Sequence, residues 1–181
     1  MIIDSHCHLE YEPMSLALNE TISRANKDGV KYLLTISTTD KSLKKILKIT
    51  EDFDCVYGTY GIHPHEAKNH NKITSKDIIK KISLSKKLIG IGETGLDFYY
   101  NHSEKKDQMI SFEEHINSAQ ILNIPLIVHT RSAEVETLDL LKRKKKEKDF
   151  KLLIHCFTGT RDFAFQLLDL GAFISASGVV T

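Results

Sequence analysis

The sequence predicts a parallel α/β fold, on two observations. Apolar, β-branched runs recur along the chain with almost no polar alternation, as strands buried on both faces do. Between them lie segments with the periodicity of amphipathic helices. Elements alternating in this way imply parallel strands joined by crossover helices, in either a doubly wound sheet or a β/α barrel.

The strand runs, in order, are Ile2-Ile3, Tyr32 to Ile36, Cys55 to Tyr57, Leu88 to Ile91, Leu126 to Val128, Leu152 to Ile154 and Ala172 to Ile174. Between the first two, Asn26-Lys27-Asp28-Gly29 ends a helix on the glycine that such ends favour. Leu43, Ile46, Leu47 and Ile49 give the apolar stripe of the next helix, and Thr74 with Asp77 forms an N-cap pair before Ile78 and Ile79. Phe112, Ile116, Ala119 and Ile121 supply a further stripe. Seven strands and six intervening helices result, in a single domain over 1–181 with no linker or low-complexity tract.

Composition excludes several classes. The chain has 181 residues, 41% hydrophobic and 27% charged, with net charge +1. Nine Gly and three Pro are too few for a collagenous or linker-rich protein. No apolar stretch approaches the roughly 20 residues that span a bilayer, and the N-terminus lacks a signal-peptide pattern. Three unpaired-looking cysteines argue against a disulfide scaffold, so a cytoplasmic location is expected. The basic run Lys142 to Lys148 reads as a helix end, where lysines complement the dipole, rather than as a phosphate site.

Ligand-type residues fall at strand ends. His6 and His8 are two residues apart in extended backbone, so both rings reach the same side. Glu93 follows the fourth strand, His129 ends the fifth and His155 ends the sixth. Parallel β/α folds build their sites at this end of the sheet. Several imidazoles and a carboxylate gathered there call for a cation, and two ions bridged by Glu93 would use the whole set. His63 and His65, in Gly61-Ile62-His63-Pro64-His65, read equally as substrate-side donors or as exposed loop histidines. Arg131 is expected either to bind phosphate or to pair with Glu134. Tyr99 and Tyr100 would stack on a base or, more commonly for such loops, cap the core. Cys7 and Cys156, neighbours of inward-pointing ligands, should point outward as small buried residues. His70, His102 and His115 receive no role.

Asp4-Ser5-His6-Cys7-His8-Leu9, Gly61-Ile62-His63-Pro64-His65, Gly92-Glu93-Thr94-Gly95-Leu96-Asp97, Pro125 to Arg131 and His155-Cys156-Phe157-Thr158-Gly159 together resemble the TatD family of metal-dependent hydrolases. The resemblance covers the whole chain. It implies a TIM-type (β/α) barrel, two divalent ions (Mg, Mn or Zn) and deoxyribonuclease activity on DNA, commonly as a 3′ to 5′ exonuclease. It assigns His6, His8, Glu93, His129 and His155 as ligands and His63 and His65 to the substrate side; Glu93 is expected to be central to catalysis and Arg131 to contact substrate. No obligate protein partner is expected.

The family's last metal-site residue is an aspartate after the eighth strand, in a Glu-Thr-Asp-type motif that this sequence lacks. The expectation is therefore an incomplete barrel with seven of eight strands, lacking the C-terminal strand and helix, and impaired in activity. Two alternatives are an amidohydrolase-type amide or ester hydrolase, because the same ligands serve attack at carbonyl carbon, and an inactive truncated remnant.

Overall fold

The computed structural model describes residues 1–180. Seven strands, β1 (Ile2–Cys7), β2 (Val30–Thr35), β3 (Val56–Tyr60), β4 (Leu88–Asp97), β5 (Leu126–Arg131), β6 (Leu152–Ile154) and β7 (Phe173–Ile174), form one sheet in sequence order. Every neighbouring pair is parallel. The connections carry α1 (Leu18–Lys27), α2 (Asp40–Asp52), α3 (Ser75–Ile82), α4 (Lys105–Leu122), α5 (Glu134–Glu147) and α6 (Arg161–Asp169). The sheet curls into a half-barrel. Its curvature brings the His6 ring of β1 to 3.3 Å from the His155 ring beyond β6.

The helices form where the sequence signals place them. Thr39 and Thr74 open α2 and α3 with reciprocal capping boxes, closed by Ser42 and Asp77. Gly29 follows α1 at φ +90°, a turn that a Cβ would strain. Helix and strand side chains pack into a main core, in which Ile46, Ile78, Phe112, Ile116, Leu141 and Leu167 are fully buried with Ile91, Leu126 and Ile154, and a smaller one of Leu9, Ile22, Leu33, Ile49 and Val56. Gly58 lets α2 approach β3 closely, because a Cβ there would lie 2.5 Å from Ile46.

One stripe differs from expectation: Phe112, Ile116 and Ala119 are buried, but Ile121 is 60% exposed. Nine residues beyond Phe112, it lies about 180° around the helix. The lysine run is stitching, as expected of a helix end. Arg143 meets Glu113 at 3.1 Å, Lys145 meets Asp149 at 2.7 Å, Lys144 pairs with Glu147, and Lys148 donates to the Gln120 carbonyl.

Among the described residues no helix is long and apolar enough to cross a membrane.

Candidate metal centre

Glu93 lies inside β4, which continues to Asp97, rather than after the strand. Its flanking glycines account for its placement. Gly92 and Gly95 have φ of +134° and +138°, and a Cβ on Gly95 would fall 1.9 Å from the His129 carbonyl oxygen. The β4–β5 register shifts between Ile91 and Thr94, the irregularity by which a bulge re-aims a side chain. Within it the Glu93 N–H donates to the Ser37 carbonyl at 2.9 Å.

The two carboxylate oxygens face different histidines. Oε2 lies 3.3 Å from His6 Nε2 and 4.0 Å from His8 Nε2. Oε1 lies 3.2 Å from His129 Nδ1, 3.7 Å from His63 Nε2 and 4.0 Å from His155 Nε2. Two three-residue groups have donor atoms close enough to share an ion: His6, His8 and Glu93, and His63, Glu93 and His129. His155 falls outside both, although its ring stacks on His6. His63, expected in a loop, instead caps a short 3-10 helix over Pro64–His70.

Hydrogen bonds fix which nitrogen of the His8, His129 and His63 rings faces inward. His8 Nδ1 lies 3.1 Å from the Ile36 carbonyl and 3.3 Å from Glu10, which leaves Nε2 free. His129 Nε2 lies 3.1 Å from Asp97 Oδ2, leaving Nδ1 toward Glu93. Partners of this kind orient metal-binding imidazoles. His63 differs: its Nδ1 accepts from the His65 N–H at 3.2 Å, so its neutral form carries the proton on Nε2, toward Glu93. That tautomer is a donor.

Burial would raise the Glu93 carboxyl, but His129, His6 and His63 hold it well below the usual carboxylate range. Burial pushes His63 down to about 3 and His155 to about 4, against the pull of Glu93. For His8 and His129 burial is outweighed by Glu10 and by Glu93 with Asp97, respectively, and both are raised.

The donor set fits divalent cations on an observation of its own. Both buried ring nitrogens of His6 lack a hydrogen bond, despite the approach of Glu93 to Nε2. Unsatisfied imidazole nitrogens at that depth are costly unless a lone pair meets a cation.

A cleft of about 640 Å³ opens over this cluster, lined by His8, His63, His65, Arg131 and Cys156 among others. Arg131 does not pair with Glu134, which accepts from Thr160 instead. Cys156 lines the cleft rather than pointing outward, because the chain has left β6 and turns there at φ +48°. Cys7 is as expected, donating to the Leu34 carbonyl, with burial pushing its thiol pKa up.

Three supporting residues escaped sequence reasoning. Asp97 and Glu10 are buried carboxylates that orient ligand-type histidines. His115 is fully buried in α4, donating from Nδ1 to the Ser111 carbonyl at 2.7 Å and accepting from the Ile62 N–H at 3.1 Å. It thereby anchors the segment that presents His63. For Asp97, the sole sequence signal was its place in the Gly92-to-Asp97 motif.

A half-barrel of parallel strands with a histidine–glutamate cluster at its strand ends is the architecture of a metal-dependent hydrolase. The TatD related DNase family model matches residues 3–181, and the chain belongs to that family. It is 38% identical, over 99% of its length and 71% of the relative's, to an uncharacterized metal-dependent hydrolase, BU355, of Buchnera aphidicola subsp. Acyrthosiphon pisum. It is 30% identical to a 3′-5′ ssDNA/RNA exonuclease TatD of Citrobacter koseri, over 90% of this chain and 62% of that one. The crystal structure of the TatD homolog YJJV from Escherichia coli K12 superposes with a TM-score of 0.91 at 24% identity, covering 99% of this chain and 69% of that one, which establishes the shared fold.

Proposed function

We propose that the domain formed by residues 1–181 is a two-ion phosphodiester hydrolase acting on DNA, removing nucleotides from a strand end. The observation that carries this reading is the division of Glu93, whose oxygens face separate histidine sets. One carboxylate in that position can bridge two cations, the clamp suited to in-line displacement at phosphorus. His6 and His8 would hold one ion and His129 the other, with His155, 4.0 Å from Glu93 Oε1, close enough to join the second by a small shift, and Mg, Mn and Zn are the ions to test. When bound, the ions supply Lewis-acid charge and lower the pKa of water.

The chain's own residues do the rest. Glu93 stays ionised, because the surrounding histidines hold its carboxyl low. His63, neutral with Nε2 protonated, donates to a phosphoryl oxygen in the cleft, and Asp97 holds His65 beside it at 2.9 Å. Arg131 has no carboxylate partner among the described residues and meets the strand's next phosphate. Hydrolysis cleaves one P–O bond, leaving a phosphate monoester and a free hydroxyl. The name of the Citrobacter koseri relative supports a single-stranded nucleic-acid substrate.

The test is metal-dependent release of nucleotides from a 5′-labelled oligonucleotide, compared with a panel of simple carboxylic esters and cyclic amides. A ladder shortening from the 3′ end is expected. Turnover of the esters or amides without any oligonucleotide cleavage would overturn the reading.

A further inference from the structure

Beside the cleft, β4 ends in a segment that the hydrolytic chemistry does not use. Tyr99 and Tyr100 are 58% and 48% exposed, so neither caps the core. Their rings stand nearly perpendicular with centroids 4.8 Å apart. The Arg131 guanidinium lies 4.1 Å from the Tyr99 ring centroid and 4.7 Å from that of Tyr100, and donates to the Tyr100 hydroxyl at 3.2 Å. The His102 ring stacks on Tyr100 and meets His65 edge-on.

This group is built into the metal centre rather than lying loosely near it. Asp97, 1% exposed, accepts from the Tyr99 and Tyr100 N–H groups on Oδ1, while its Oδ2 meets His65 and His129. The Gln108 side chain brackets the Asp97 backbone from both sides. One carboxylate thus fixes the two tyrosines relative to a ligand-type histidine. Arg131 also lies two residues beyond His129 on β5, on the same strand face and roughly 7 Å further along.

We infer that Tyr99, Tyr100 and Arg131 form a nucleotide-binding shelf, which holds the base and phosphate next to the scissile bond of a single strand. An exposed aromatic face against an unneutralised guanidinium is the chemistry that single-stranded nucleic acids stack on. It is tolerant of sequence, because every base offers a π-face. A paired base is already stacked, so the shelf selects single strands or frayed ends. The inference rests on the nuclease reading and adds the means of recognising the base.

The test compares a short oligothymidylate with an abasic strand of equal length and charge, by fluorescence anisotropy with the full chain. The wild type is expected to bind the base-bearing strand on the order of 10-fold more tightly. Tyr99→Leu should bring that ratio close to one, and Tyr99→Trp should restore it. Equal wild-type affinity for the two strands, with 3′ shortening still observed, would overturn the shelf and leave the nuclease reading standing. A wild type that neither binds nor cleaves any oligonucleotide would overturn both. The wild-type comparison needs no variant to fold, and a preference unchanged in Tyr99→Leu would also count against the shelf.

Discussion

On the Oε1 side of Glu93, the His129 ring has a carboxylate at each nitrogen, Glu93 at 3.2 Å and Asp97 at 3.1 Å. On the Oε2 side, His6 has neither nitrogen in a hydrogen bond, and His8 is oriented by Glu10 and one backbone carbonyl. The first side is preorganised by protein alone; the second keeps its lone pairs for something the protein does not supply. Two halves of one site thus rely differently on a cation. The Oε1 half should hold its geometry without metal, whereas the Oε2 half should order only on binding.

The largest expected effect removes the element common to both halves. In Glu93→Gln one oxygen becomes an amide nitrogen that cannot ligate, so metal-dependent hydrolysis should fall at least about 100-fold, with loss of bound ion measured by elemental analysis. Retention of full metal content would show that the histidine sets act independently.

Next come the supporting carboxylates, which separate the halves. Asp97→Asn disturbs two histidines, so metal affinity or activity should fall by roughly 10- to 100-fold. Glu10→Gln should cost less, about 10-fold, because His8 keeps its bond to the Ile36 carbonyl. Metal titrations of the two variants decide this, and equal losses would erase the asymmetry.

Acidification acts on stability rather than on the chemistry, at the frame beneath the site. Burial holds His115 at about 4, below its unfolded value of about 6.5. The unfolded chain therefore binds the proton first, so the stability from neutral His115 is complete above about pH 6.5 and is lost as pH falls toward 4. On the order of 3 kcal/mol is involved. Thermal melts of metal-free protein at pH 7 and pH 4.5 should show the decline, and His115→Gln should shrink it, leaving the share contributed by His63 and His155. Smallest of all, Ile121→Glu should change stability by less than about 0.5 kcal/mol, while Ile116→Ala should cost about 2–5 kcal/mol in denaturant unfolding.

Much of this architecture was legible in the sequence, because strand runs and caps are local. Thr74 and Asp77 announce α3 over four residues, whereas burial on both faces, read from the apolar runs, does not hold at the sheet's ends, where Ile2, Ile3 and Phe173 are exposed. His6, His8, Glu93, His129 and His155 were legible because parallel strands send their ends to one side. Geometry then separated them, bringing His63 into a group with Glu93 and His129 and leaving His155 stacked on His6. The rest depends on contacts between distant segments. His115 meets Ile62 across 53 residues, and Asp97 meets His65 and His129 across 32 each. Nothing in the local pattern of either residue specifies those partners. Cys156 was misplaced because strand alternation was extended past the last residue of β6, where the backbone turns left-handed.

The proposal that Glu93 would serve two cations at once is tested most directly by Mn(II) titration followed by electron paramagnetic resonance. Two Mn(II) per chain with an exchange-coupled spectrum, lost in Glu93→Gln, is the predicted result. A single Mn(II), or two that remain magnetically isolated in the wild type, would contradict it.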